Sequence, residues 1–271
     1  MADLVAAGTC ARGIVLLGDP QQLPQVLQAQ HPGDAGNSAL GHLLDGRDTI
    51  PSGRGVLLTE SWRMHPDVCT FVSERSYGGR LHSHPPCTTR QVSISAGVLR
   101  GAGLRTLEVH HTGCSQSSDE EAHTIAAACA DLLDGSSVTD ERGVIKPLKA
   151  QDIMVVAPYN LAVRCIRERV PDGVRVGTVD RFQGQEAAVV FFAMTCSSGE
   201  DVPRGLGFLF DRNRLNVAIS RAQCLAVLVH SPRLLDADCR SLEHMHLVDG
   251  ACRLVELATA VAATTGTALA A

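Results

Sequence analysis

Of the 24 basic residues in this 271-residue sequence only two are lysines, Lys146 and Lys149, and neither follows a glycine. The glycine-rich loop G-x-x-x-x-G-K-[ST], which cradles phosphates with backbone amides and a lysine, is therefore absent from the sequence. The ten cysteines form no C-x-x-C pair and are scattered along the chain. That spacing suits neither a metal site nor a disulfide framework, and reads instead as small core residues in a reducing compartment. The 11 histidines show no metal-ligand spacing either, so no metal is assigned. His82 and His84 lie beside Pro85 and Pro86 in an expected loop. No basic segment leads into an apolar run at the start, and the longest apolar runs, such as residues 187–194, are strand-length. The alanine-rich tail carries Glu256 and several threonines. The expectation is a soluble, cytoplasmic protein with no membrane span. Aromatics are only 3%, and Trp62 is the single tryptophan. The net charge is −5, which argues against a stand-alone module that binds nucleic acid by bulk positive charge. Any such contact must be local.

What is present is a chain rich enough in apolar residues, 45%, to bury a real core. At roughly 150 residues per domain, it has room for one large domain or two smaller ones. Residues 14–17 (IVLL) run directly into Gly18-Asp19-Pro20 and read as a buried parallel strand ending in a functional loop. Asn37 is expected to cap a short helix ending near Leu44. Residues 50–55 read as a linker and 56–58 as another strand. Pro66 suits the first turn of a helix running to about Tyr77. Residues 79–103 carry many loop signals and no clear element. Beyond them the pattern sharpens. Strands are expected at 104–109, 153–157, 174–179, 189–194 and 225–229. Helices are expected at 161–169, at 212–221 and after a Ser118/Glu121 capping box, ending near Leu133. Alternating helices and continuously apolar strands imply an α/β fold, a parallel sheet covered on both faces, with its site at the carboxyl ends of the strands.

Four segments carry the chemistry: GDPQQLP at 18–24, SWRMHP at 61–66, VGTVDRFQGQE at 176–186 and RLNVAISRA at 214–222. In this order and spacing they resemble motifs III to VI of superfamily 1 helicases. The branch is the one holding the nonsense-mediated-decay helicase and the RecB-nuclease-fused helicases, and the likeness runs over about residues 14–229. It implies a RecA-like second lobe at 56–271, preceded at 1–55 by a remnant of a first RecA-like lobe. It also implies an ATP site with Mg2+ shared between the lobes.

By this resemblance Arg63 and Arg221 are the cationic fingers that meet charge developing on the transferred phosphoryl group. Arginine suits that role because its planar, permanently charged fork can donate two bonds to phosphate oxygens. Gln22 is implied to sense the γ-phosphate or its attacking water. Gly184 and Glu186 are implied beside the nucleotide, and Trp62 beside its base. Pro158, Asn160 and Thr178 are implied to grip the backbone of single-stranded DNA or RNA, which positions the strand without reading its sequence. Each residue also has a plain structural alternative: a surface ion pair for the arginines, loop capping for Gln22 and Thr178, a solvated loop acid for Glu186, a core position for Trp62. The phosphate loop and acidic motif II of the family are missing from the sequence. The expectation is thus a truncated or split motor, inactive alone, with a P-loop-bearing lobe or RecB-like nuclease domain encoded upstream. The alternatives are a non-catalytic nucleic-acid or protein interaction module, and a subunit that complements a separate P-loop chain.

Overall fold

The computed structural model of the chain describes residues 2–23, 33–36, 38–94 and 99–266. Its first part carries two short helices, α1 (Ala2–Gly8) and α2 (Ala39–Leu44). Ser38 caps α2 through its hydroxyl, which accepts from the Gly41 amide at 2.8 Å; Asn37, the expected cap, lies outside the described residues. Two short strands, β1 (Glu60–Ser61) and β2 (His82–Ser83), pair in parallel around α3 (Pro66–Ser76). Pro66 opens α3 as expected, since its missing N–H costs nothing in a first turn.

The remaining elements build the sheets. In chain order they are β3 (Gln91–Ser93), β4 (Gly103–Glu108), α4 (Asp119–Leu133), β5 (Ser137–Thr139), β6 (Ile145–Pro147), β7 (Ile153–Ala157), α5 (Asn160–Arg167), β8 (Arg175–Thr178), β9 (Ala187–Ala193), α6 (Leu206–Leu209), α7 (Arg212–Ile219), β10 (Ala222–His230), α8 (Pro232–Leu235) and α9 (Leu242–Gly266). Five strands form a wholly parallel sheet in the order β4-β10-β9-β7-β8. The order is not sequential, so helices cross both faces and bury the strands on each side. Every residue of β7 and β9 is buried. Alternate side chains serve two cores. Met154, Val190 and Phe192 join the core that holds α3, α7 and α9; Val155, Val189 and Phe191 join the core under α4 and α5. The fold is the expected α/β one, a parallel sheet covered on both faces.

Several expectations fail, each for a physical reason. Residues 14–17 form no strand and pair with none among the described residues, and Ile14, Val15 and Leu17 are exposed, Leu17 to 91%. Residues 56–58 are likewise unpaired, with Val56 and Leu58 exposed; the paired strand begins at Glu60 instead. Apolar character marks a capacity for burial, but a strand also needs a partner for its amides. His82 is in β2 rather than a loop. The 79–103 region supplies β3, which joins β5 and β6 in a small antiparallel sheet. The capping box is only half made. Ser118 Oγ accepts from the Glu121 amide at 3.1 Å, but the Glu121 carboxylate turns into the core. There it faces His111 Nε2 at 3.1 Å and accepts from the Thr195 amide at 3.0 Å.

Candidate functional site

The amino edge of the sheet, where β9 and β10 begin, gathers residues from four separate stretches of chain. Glu186 immediately precedes β9 and Arg221 immediately precedes β10, and the Ala187 amide donates to the Arg221 carbonyl at 3.0 Å. Gly184 turns the chain into β9 with φ +83°, a left-handed conformation that glycine adopts without strain. Arg63 enters from β1 and is anchored by its neighbour His65, whose amide donates to Gln223 O at 2.9 Å. Gln22 comes from the loop after residues 14–17.

These side chains meet. Arg63 Nε–H donates to Glu186 Oε2 at 2.7 Å, and its Nη1 donates to the carbonyl of Ser220 at 3.1 Å. Gln223 Nε2 donates to the other Glu186 oxygen at 2.8 Å. Arg221 reaches Gln185 O at 3.4 Å and Gln22 Oε1 at 3.5 Å. Arg221 is 2% exposed, and its buried Nε has no hydrogen-bond partner among the described residues. Burial, and then the neighbouring charge of Arg63, lowers the pKa of Arg221 from its ordinary value; Tyr77, Asp19 and Glu186 oppose the shift. A buried guanidinium beside a second one, with donor capacity unused, is a site that favours an anion.

Four of the expected residues, Gln22, Arg63, Glu186 and Arg221, therefore stand together. They stand at the amino edge of β9 and β10 and not at the carboxyl ends, where the α/β rule put the whole site. The plain alternatives are partly realised as well. Arg63 does make an ion pair, with Glu186, and Gln22 does brace its own loop, donating to Asp19 Oδ2 at 2.8 Å. Trp62 is not a core residue. It is 65% exposed and stacks on His84. Pro158, Asn160 and Thr178 lie at the opposite, carboxyl edge. Thr178 ends β8 in register with Ala157 of β7, Pro158 is buried, and Asn160 opens α5 exposed. Next to them Arg204 and Arg214 cover Phe208, 4.0 and 4.4 Å from its centroid, and Phe208 lies 5.5 Å from the Tyr159 ring.

Sequence reasoning missed the struts behind the cluster. The Tyr77 hydroxyl donates to Asp19 Oδ2 at 2.5 Å. The other Asp19 oxygen accepts from the Gln21 amide at 3.0 Å. Asn216, buried in α7, donates to Gln21 O at 2.8 Å. Burial, then Asp19, pushes the Tyr77 phenol above its ordinary value. Asp19 and Asn216 sit inside the quoted motifs, and a polar residue in the apolar stretch of α7 was a usable signal. Tyr77 carried none.

Comparison with known proteins gives the family of the chain. A family described as an AAA domain matches residues 38–233. The DNA-binding protein SMUBP-2 of Mus musculus is 30% identical over 244 residues, covering 82% of this chain and 24% of that protein. A regulator of nonsense transcripts 1 homolog of Arabidopsis thaliana is 27% identical over 230 residues, covering 82% of this chain and 18% of that protein. The chain thus spans a quarter or less of the length of these relatives. Among solved structures, the C-terminal domain of a possible DNA helicase from a Lactobacillus is matched at TM-score 0.34 and 13% identity, over 64% of this chain and 89% of that one. No described helix is long and apolar enough to cross a membrane.

Proposed function

The chain belongs to the AAA domain family, and we propose that it is part of a superfamily 1 helicase of the nonsense-mediated-decay type and supplies the arginine half of an ATP site formed against a lobe that carries the phosphate-binding loop. One observation carries this reading: Arg63 and Arg221, from two distant motifs, meet beside Gln22 and Glu186 on one sheet edge. ATP with Mg2+ supplies the phosphoryl chemistry when bound. The residues present fit its phosphate end. Arg221 holds an unused buried donor, and Arg63 needs only to exchange the Glu186 carboxylate for a phosphate oxygen of the same charge sign. The same residues do not fit a magnesium site, because no described group of three or more His, Cys, Asp or Glu could hold a metal ion. In this reading the metal belongs to the other lobe.

Arg63 and Arg221 then act by donating to oxygens on which charge develops, and Gln22 orients through the amide that already faces Arg221. Glu186 and Gln223 hold Arg63 extended until it is exchanged. The exposed apolar residues of 14–17 and 56–58 are the surface that the other lobe covers. Asn160 and Thr178, at the far edge, contact the backbone of single-stranded DNA or RNA, and the buried Pro158 shapes their loop. A RecB-like nuclease domain is a further candidate partner within a longer protein.

The test joins this chain to a P-loop-bearing lobe and measures nucleic-acid-stimulated ATP turnover. Arg221→Ala should lower kcat by about 10³-fold, the scale of a lost arginine finger, and change KM far less. A variant within threefold of wild type would make Arg221 a structural residue and sink the proposal.

A further inference from the structure

Trp62 is the only tryptophan, and its exposure is anomalous for a residue that would stabilise a core by burial. One face of its indole lies on His84, with ring centroids 3.5 Å apart and planes at 14°. Among the described residues no other ring stacks on it. The arrangement is built from the backbone outward. Ser61 and Ser83 are register partners in the β1-β2 pair, and the His84 amide donates to the Ser61 carbonyl at 2.8 Å. Trp62 and His84 therefore leave the pair side by side. Pro85 follows His84 and favours the extended backbone seen there, φ −59° and ψ 130°. Glu60 Oε1 lies 2.8 Å from His84 Nδ1, a contact that fixes the direction of the imidazole. The Trp62 carbonyl accepts from Arg90 at 3.5 Å, and Arg90 is itself held by Glu141 at 2.9 Å. Backbone and ring partner are both fixed, while the indole is 65% exposed with no ring on its second face among the described residues, one position before Arg63 in the chain.

We propose that His84 is a positioning residue, set by Glu60 and Pro85, that backs Trp62 so that the indole presents one pre-set flat face to a nucleobase. The inference rests on the nucleotide reading above and adds His84 and Glu60 to it. A ring already stacked on one side loses little freedom when a base stacks on the other, so the backing raises affinity by pre-organisation. Stacking tolerates any base, because every base has a π-face. The platform therefore binds adenine and guanine nucleotides alike. The base could belong to a mononucleotide or to a nucleic-acid strand; the position next to Arg63 favours the mononucleotide.

The experiment uses the fluorescence of Trp62 in the whole chain, titrated with ATP, GTP, inorganic triphosphate, a thymidine oligonucleotide and an abasic oligonucleotide. ATP and GTP should change the emission and bind at least fivefold more tightly than triphosphate. His84→Ala should erase that advantage without changing triphosphate binding. His84→Phe, which keeps a flat ring, should restore it to within twofold, whereas a merely structural histidine would not be rescued in this base-specific readout. Matched thermal melts check that both variants fold. A response to the thymidine strand and not to its abasic counterpart, lost in His84→Ala, supports the same platform with a strand base as ligand. If triphosphate binds and the base adds nothing, the platform is refuted and the nucleotide reading stands. If neither triphosphate, nucleotide nor strand binds, to the chain alone or joined to a P-loop-bearing lobe, both are refuted.

Discussion

Replacing Tyr77 with phenylalanine removes one oxygen from a partly buried ring and tests how the Gln22 loop is held. The hydroxyl donates to Asp19 Oδ2 at 2.5 Å and lies 3.4 Å from Asn216 Nδ2. The opposite Asp19 oxygen takes the Gln21 amide, and the Asp19 carbonyl takes the Gln22 amide at 3.2 Å. The phenol shares Asp19 Oδ2 with the Gln22 side-chain amide, at 2.8 Å, and ties the carboxylate that shapes the turn to the end of α3. A hydrogen bond to a charged group contributes about 1.5–3 kcal/mol. The ring itself remains, so no cavity is added to the loss. The preceding residues 14–17 are exposed and add little packing, so the turn should open locally and not with the sheet. At about 1.4 kcal/mol per factor of ten, exchange of the Gln21 and Gln22 amides should quicken about 10- to 150-fold in Tyr77→Phe. Exchange of the β9 amides should stay unchanged. Native-state hydrogen exchange reads both in one sample. Wild-type protection of Gln21 and Gln22 in the variant would show that the turn is held without the phenol, and the strut argument would fail.

Two further outcomes follow from the same structure. The chain by itself should turn over no ATP, with or without single-stranded DNA, because Arg63 and Arg221 have no phosphate loop to act on; turnover that survives purification and is lost in Arg221→Ala would overturn this. Asp140 is held down to about 2 by Lys146 first, then by the Val144 and Arg142 amides. A depressed carboxyl stabilises above its unfolded pKa and loses that contribution as pH falls through its folded value. Protection of the β5–β6 turn should accordingly fade between about pH 4 and pH 2 and be pH-independent there in Asp140→Asn; equal pH profiles by NMR would refute it.

The parallel sheet was legible because its strands are continuously apolar and its helices announce their starts, as Pro66 and Ser118 do. The pairing of Arg63 with Arg221 was legible only through the resemblance of whole motifs, since nothing in an isolated arginine distinguishes a finger from a surface ion pair. Besides the Tyr77 strut, two things were not legible. Residues 14–17 and 56–58 have strand-like composition, yet composition does not say which chain supplies the neighbouring strand, and among the described residues none does. The location of the cluster was also misjudged. The carboxyl-end rule concerns loops that follow strands, whereas Glu186 and Arg221 precede theirs. The stretch from Thr178 to Glu186 crosses from one edge of the sheet to the other, and a motif written as one string hides that distance.

α7 spans that crossing and touches both edges. It has eight residues, about 12 Å at 1.5 Å per residue. At its start Arg214 covers Phe208 and pairs with Asp180 at 3.6 Å, beside the loop that begins at Thr178. In its middle Asn216 holds the Gln22 loop through Gln21 O. At its end the Ser220 carbonyl accepts from Arg63, and Arg221 follows. A helix this short, buried along Leu215–Ile219 against β9 and β10, has no internal joint at which to absorb a displacement. Releasing Arg63 from Ser220 and Glu186 therefore changes the forces on one end of a rigid body whose other end sits against Asp180 and Phe208. The physical link between the two edges is thus one packed helix, α7, held at its start by Asp180 and Phe208 and at its end by Arg63.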